Sequence, residues 1–155
     1  MRINTICIFI TATLLVAACH SSKKSKTSAD LTTVNEIQKP KAGAVTPVLR
    51  DTANFGKDAY KLSEPRVSGD TLFVQVEYSG GCKDHVFTAR HNGQYMKSMP
   101  PQLNVTIDHN ANGDKCRELI RETLAFDLKS CRQGKSGTLI LLLNGDRAYK
   151  ATYNF

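Results

Sequence analysis

The sequence predicts an all-β fold, a small antiparallel sandwich or barrel with one short helical turn, after a cleaved signal and a disordered tether. Polar and apolar residues alternate along most of residues 51–155, which is the pattern of half-buried strands. Asn-Gly and Gly-Asp pairs between these segments are typical of hairpin turns. About a hundred residues with this patterning are enough to bury the core of one domain.

Six strands are predicted, and turn residues separate them. Five segments have apolar residues at every second position, whereas residues 138–143 are continuously apolar, as in a central strand covered on both faces. The six segments are residues 72–78, 85–91, 103–109, 124–128, 138–143 and 149–155. Turns are predicted at residues 68–70, 92–93 and 144–146, and a break between strands at residues 100–101. The helical turn is expected at residues 115–121, with Asp114 as its N-cap.

The N-terminus is typical of an export signal. Residues 6–18 form an apolar run of 13 residues, shorter than the roughly 20 that span a membrane. Val16-Ala17-Ala18-Cys19 resembles the lipobox of bacterial lipoproteins, in which the cysteine is lipidated and begins the mature protein. We therefore expect removal of residues 1–18 and a covalent lipid on Cys19 that anchors the protein in the cell envelope. An ordinary signal that leaves Cys19 as a free thiol is the alternative.

The residue after the lipidated cysteine bears on localisation. In the lipoproteins that the motif resembles, an Asp there often retains the protein at the inner membrane. This sequence has His20 instead, so the resemblance implies the outer membrane.

Residues 19–50 are expected to comprise the lipidated cysteine and a disordered tether. The stretch is rich in Ser, Lys and Thr and has no aromatic residue, so its burial cannot offset the entropy lost on ordering. Residues 20–50 carry a net charge of +4, whereas residues 51–155, the predicted β domain, carry +2. Since the folded part is nearly balanced in charge, we expect no nucleic-acid partner. The tether lysines suit a membrane surface with anionic headgroups.

Three cysteines remain once the signal and the lipidated cysteine are set aside. An exported protein is expected to bridge two of them. Cys82 and Cys116 both follow glycine-bearing turns, which favours a bridge that closes a loop of about 35 residues. Cys116–Cys131 is the competing pair. We expect Cys131, which lies among basic neighbours, to be the exposed free thiol.

Histidines near these cysteines suggest a metal site. Cys82, His85, His109 and Cys116 could supply two sulfurs and two imidazoles, a set that suits zinc or copper. Bridged cysteines are not thiolate ligands, however, which leaves the histidines with Asp108 or Asp84 as a weak site. Strand-end histidines bonded to backbone are the alternative.

Residues 108–114 also match the first half of a calcium loop, Asp-x-Asn-x-Asn-Gly. Asp108 and Asp114 would be its acidic members. The bidentate acid expected at the twelfth position is replaced by Leu119, and neutral Asn ligands lower the affinity. The alternative is a turn in which Asn, Gly and Asp serve the backbone.

Longer blocks of sequence resemble a known group of proteins. The blocks are Tyr78-Ser79-Gly80-Gly81-Cys82-Lys83-Asp84-His85-Val86-Phe87, Pro100-Pro101, His109-Asn110-Ala111-Asn112-Gly113-Asp114-Lys115-Cys116 and Thr123-Leu124-Ala125-Phe126-Asp127-Leu128. Together they are similar to small lipoproteins of Bacteroidetes-type bacteria that have no assigned activity. The resemblance implies a small exported lipoprotein of unassigned activity, so it supplies no catalytic residues. It favours the Cys82–Cys116 bridge and has no place for Cys131.

The expected function is therefore binding rather than catalysis. The sequence has no Gly-x-Ser-x-Gly, no His-Glu-x-x-His and no phosphate-cradling loop, so we do not expect an enzyme or a resident cofactor. We expect a tethered β domain that binds an envelope protein or a glycan, through loops 79–85 and 108–118 held side by side. A metal- or calcium-dependent binding module that uses residues 82–85 and 108–118 is the alternative.

Overall fold

The computed structural model describes residues 43–155, so the predicted signal, Cys19 and most of the predicted tether lie outside the described residues. The described part consists of β-strands and one 3-10 turn, Lys129–Cys131, which confirms the all-β sandwich. The strands are β1 (Val45–Pro47), β2 (Leu49–Arg50), β3 (Lys61–Ser68), β4 (Thr71–Gly80), β5 (Val86–His91), β6 (Tyr95–Met96), β7 (Gln102–Asn110), β8 (Glu118–Asp127), β9 (Thr138–Leu143) and β10 (Asp146–Asn154). No helix among these residues is long and apolar enough to cross a membrane.

The strands form two sheets that pack face to face. One has the order β1-β8-β4-β3, and the other has the order β10-β9-β7-β5-β2, with β6 paired to β7. The expectation of purely antiparallel pairing is wrong, because β1–β8, β2–β5 and β7–β9 are parallel pairs. The pair β7–β9 is parallel because β8, between them in sequence, lies in the opposite sheet and makes a crossover.

The core lies between the sheets and comes from the period-two positions. The inward residues Leu72, Val74 and Val76 of β4 are buried while their neighbours are partly or fully exposed. Tyr153 of β10 and Leu141 of β9 fill the other side of the same cluster. Each of the six predicted segments overlaps a strand of the structure, so alternation identified five of them correctly and the continuous apolar run identified β9.

The predicted helical turn at residues 115–121 is wrong. Residues from Glu118 onward belong to β8, which pairs with β4 over ten residue pairs from Gly80↔Glu118 to Thr71↔Asp127. A long antiparallel ladder outweighs the weak helical preference of a few polar residues.

The folded part also begins earlier than the predicted boundary at residue 51. Residues 45–50 add β1 to one sheet and β2 to the other, so one segment crosses between the two sheet edges. Val48, between the two short strands, is buried, and its N–H donates to the Asp127 carbonyl at 3.0 Å. Strands of two and three residues are too short to show a period in the sequence.

Candidate functional site

The candidate site lies at one end of the sandwich, where two loops meet. Antiparallel pairing places Gly80 opposite Glu118 in one sheet and Val86 opposite Asn110 in the other. The segments 81–85 and 111–117 therefore leave the two sheets at the same end. A disulfide joins Cys82 and Cys116, with 5.8 Å between their Cα atoms, and the competing bridge to Cys131 is not formed.

Asp114 fastens the same two loops a second time. Its side chain is 0% exposed, and one carboxylate oxygen accepts the N–H groups of Cys82 and Lys83, each at 2.9 Å. The other oxygen accepts the N–H of Cys116 at 2.8 Å. These donors, with the Cys116 N–H contributing most, hold the pKa of the Asp114 carboxyl well below its usual range. The group predicted to cap a helix thus works as an ionised clamp between loops.

A pair of buried histidines lies directly beneath this clamp. His85 Nε2 is 3.3 Å from the Asp114 carboxylate, and His85 Nδ1 is 2.8 Å from His109 Nε2. The ionised carboxylate favours the tautomer in which His85 Nε2 carries the proton, and in that tautomer His85 Nδ1 accepts the hydrogen bond from His109 Nε2. A further proton on His109 Nδ1 would donate to the Asp58 carbonyl, 3.2 Å away. Burial nevertheless lowers the pKa of His109.

Aromatic rings enclose the histidine pair. Tyr78 stacks on His85 with ring centroids 4.5 Å apart, and Phe87 stacks on His109 at 4.3 Å. Gly80 makes room for this arrangement, because a Cβ at that position would lie 2.5 Å from His85 Nε2. The histidines, predicted at the boundary between apolar face and loop, are therefore part of the packed end of the core.

Asp108 does not join the cluster. Its carboxylate faces the other side of β7, where it accepts Arg90 Nε at 2.5 Å and the Phe55 N–H at 3.2 Å. In the turn that follows, Asn110 accepts the Asn112 N–H, and the Asn112 amide donates to the Asp84 carbonyl. The calcium-loop residues thus bond to other protein groups, as in the turn interpretation.

In the part of the chain that the structure describes, one group of three side chains brings potential metal-ligating atoms close together. Its ligating atoms belong to Cys82, Asp114 and Cys116. The two sulfurs are bonded to each other and offer no thiolate, and the carboxylate is already occupied by N–H donors. His85 and His109 bond to each other instead of converging with a third ligand.

The prediction that Cys131 is exposed is wrong. The residue ends the 3-10 turn with 0% exposure, and burial raises the pKa of its thiol to about 11. The basic neighbours pair with other groups while the sulfur packs inward: Arg132 donates to the Tyr153 hydroxyl and the Asp70 carboxylate, and Lys129 pairs with Asp127. Such a thiol is unreactive in the folded protein.

The outer surface of the loops carries charge and one apolar side chain. Lys83 is exposed and donates to the Asn112 carbonyl at 2.8 Å, which orders it across the gap between loops. Lys115 and Arg117 are exposed and make no hydrogen bond or ion pair with the described residues. Leu119, at the start of β8, is 57% exposed.

Sequence reasoning missed the segment before β3, which completes the site. Asp58 accepts the Ala111 N–H at 2.6 Å through its carboxylate, and its own N–H donates to the His109 carbonyl. The Tyr60 hydroxyl donates to the Ile107 carbonyl at 2.6 Å. The two partners of each hydrogen bond are about fifty residues apart in the chain, so no local sequence pattern predicts that they meet.

Comparison with known proteins identifies proteins of similar fold but assigns no activity. The sequence matches no protein-family model and no curated protein. Among solved structures, a NigD-like immunity protein of Bacteroides caccae is similar with a TM-score of 0.51 and 18% identity, over 70% of this chain and 58% of that one. A toxin-related protein of Parabacteroides distasonis has a TM-score of 0.46 and 18% identity, over 72% and 59%. A candidate lipoprotein of Bacteroides fragilis has a TM-score of 0.38 and 14% identity, over 76% and 66%.

The chain thus spans less than two thirds of the length of the first two structures. At 18% identity the likeness to the first shows a common fold and nothing more.

Proposed function

We propose that the protein is a lipid-anchored envelope protein whose β domain binds a partner protein, without catalysis, through the disulfide-linked loops. The observation that carries this proposal is that the two loops are held together at two places and supported from below. The disulfide and the Asp114 clamp join the loops, and the His85–His109 hydrogen bond ties one of them to β7 directly beneath. Loops held rigid before binding lose little entropy when a partner docks, so this end is suited to recognition.

The exposed groups of these loops indicate the kind of partner. The side chains of Lys115 and Arg117 have no partner within residues 43–155, and Leu119 adds an exposed apolar side chain beside them. Cations next to an exposed aliphatic side chain suit an acidic protein surface with an apolar centre.

The chemistry of the buried groups favours binding over catalysis. A nucleophile needs an accessible, ionisable group and a base within reach. Here Cys82 is bridged, Cys131 is buried with a raised pKa, and the Asp114 carboxylate is saturated by N–H donors. Metal- or calcium-dependent binding is less well supported, because the carboxylates of Asp108 and Asp114 do not converge on one point. Asp108 pairs with Arg90, whereas Asp114 accepts backbone N–H groups of the loops.

The anchor rests on the motif at Cys19. Cys19→Ser is expected to move the protein from the detergent phase to the aqueous phase in a detergent-partitioning assay, because two or three acyl chains are lost. Wild-type protein that already stays aqueous would contradict the lipoprotein assignment.

The binding surface is tested by crosslinking in the native envelope. We compare the crosslinked partners of full-length wild type with those of Arg117→Glu and Lys135→Glu. Both variants reverse one exposed charge, but Lys135 lies outside the two loops and serves as the control. We expect a crosslinked partner that Arg117→Glu loses and Lys135→Glu keeps. Equal loss in both variants, or a partner indifferent to Arg117→Glu and Leu119→Ser, would refute the assignment of this surface.

A further inference from the structure

A second surface, at the opposite end of the sandwich, has a different chemistry. Four large apolar side chains are exposed in the described residues, and two of them belong to the Met96–Met99 loop, which starts at the last residue of β6 and ends at Met99. Met96 is 43% exposed and Met99 is 99% exposed. Lys97 stands between them and is exposed as well. A fully exposed methionine has no role in the core, so this loop presents apolar groups directly to the surroundings.

A groove on the outer face of the sheet adjoins this loop. It consists of two hollows, of about 490 and 360 Å³, that share Leu142 and Arg147 as lining residues. Met96 lines the first hollow, and Ile140 and Lys150 line the second. The floor is therefore aliphatic and one wall is cationic.

The cationic side chains of this surface have no partners among the described residues. The side chains of Lys97, Arg147 and Lys150 make no hydrogen bond or ion pair there. No acidic side chain lines either hollow; the polar lining residues are amides and a threonine, Asn92, Gln94, Gln102, Asn104 and Thr152. Unpaired cations beside exposed apolar side chains complement an anionic surface that has an apolar layer beneath it.

The strand directions place this surface far from the recognition loops. Strand β7 begins at Gln102, opposite Met96, and ends at Asn110, beside the disulfide-linked loops. Its nine residues rise about 3.3 Å each, so roughly 26 Å separate the two ends. The chain from Cys19 to β1 can extend to about 90 Å, so the anchor alone would let either end of the domain face the membrane.

We propose that the Met96–Met99 loop and the groove beside it dock on the anionic lipid surface, and that this contact turns the disulfide-linked loops away from the membrane. Lipid phosphates would meet Arg147, Lys150 and Lys97, while the two methionines enter the apolar layer. This inference rests on the proposed lipid anchor, which keeps the surface close to the bilayer and raises its effective concentration there.

The test separates the surface from the anchor. The chain from residue 19 onward, carrying Cys19→Ser and no lipid, is sedimented with vesicles of phosphatidylglycerol and phosphatidylcholine, and with phosphatidylcholine vesicles alone. Met96→Ser/Met99→Ser should lower the affinity for the anionic vesicles about tenfold or more, since each methionine loses an apolar contact. Arg147→Glu/Lys150→Glu should lower it by a similar factor, and high salt should remove that difference.

Leu119→Ser is the control, because it removes an apolar side chain that is 57% exposed at the opposite end. It should bind the vesicles like the parent chain. The tether lysines are present in every variant and cancel in the comparison. Glycerol phosphate in solution should not compete, since a free phosphate lacks the apolar layer.

Three results would overturn the proposal: no binding of the parent chain to anionic vesicles, unchanged binding of the methionine variant, or an equal loss in Leu119→Ser. Each leaves the lipid anchor intact, because anchoring is read separately from the detergent partitioning of the Cys19 protein. All substituted side chains are exposed or line the groove, and thermal unfolding verifies that each variant is folded.

Discussion

Replacing both bridged cysteines, in the variant Cys82→Ala/Cys116→Ala, should lower the free energy of unfolding by about 4 kcal/mol. The value follows from the loop that the disulfide closes, whose ends are 34 residues apart, in the chain-entropy account of crosslinked unfolded chains. For a folded part of about 110 residues this corresponds to a fall in Tm of about 15 °C. It is a large share of the 5–15 kcal/mol that typical domains possess.

The same variant should keep its native loop geometry. Asp114 binds the backbone N–H groups of Cys82 and Lys83 with its carboxylate, and alanine at position 82 leaves that N–H in place. The disulfide is thus expected to act on the unfolded chain, whereas Asp114 holds the folded loops together. Wild type in a strong reductant should behave like the double variant.

Urea denaturation monitored by circular dichroism measures the free energy, and hydrogen exchange of the Lys83 amide reports on the loops. A loss below about 1 kcal/mol would refute the entropic argument. Fast exchange at Lys83, uncoupled from global unfolding, would show that the disulfide and not Asp114 holds the loops.

Three further outcomes follow from burial. The free energy of unfolding should fall as pH drops below about 6.5, because burial lowers the pKa of His109 and the unfolded chain then binds the proton more readily. It should fall further below about pH 4, because Asp114 is protonated there in the unfolded chain but stays ionised in the folded protein. Urea midpoints that are flat between pH 7.5 and 3 would contradict both signs. Leu141→Ala should cost about 2–5 kcal/mol by opening a core cavity, whereas Leu119→Ala, at an exposed site, should be nearly neutral in the same titration. Cys131 should react with a thiol reagent only as the protein unfolds, and labelling at the rate of an accessible thiol in native buffer would disprove its burial.

Much of the sheet content could be predicted because period-two alternation is a local property. Buried and more exposed residues alternate along β4, along β5 and along β7 as far as Ile107, so a few consecutive residues show which face of each strand is buried. The turn at residues 144–146 was equally readable, since Asn144 and Gly145 both have positive φ, as a tight hairpin requires. Strand β3 is not predicted from the sequence, because Glu64, at φ 49°, and Pro65 interrupt its pairing with β4. They also break the alternation of buried and exposed residues along the strand.

The sequence by itself determined six of the ten strands of the described residues, the hairpin turn at residues 144–146 and the motif that predicts an anchor at Cys19, all of which depend on neighbouring residues. Only the tertiary structure decided that Asp114 clamps two loops rather than capping a helix, that Asp108 pairs with Arg90, and that Cys131 faces the core. The same holds for the insertion of residues 45–50 at both sheet edges. Each of these depends on partners tens of residues away, and a polar side chain is assigned its role by whichever donors the folded chain brings within hydrogen-bonding distance.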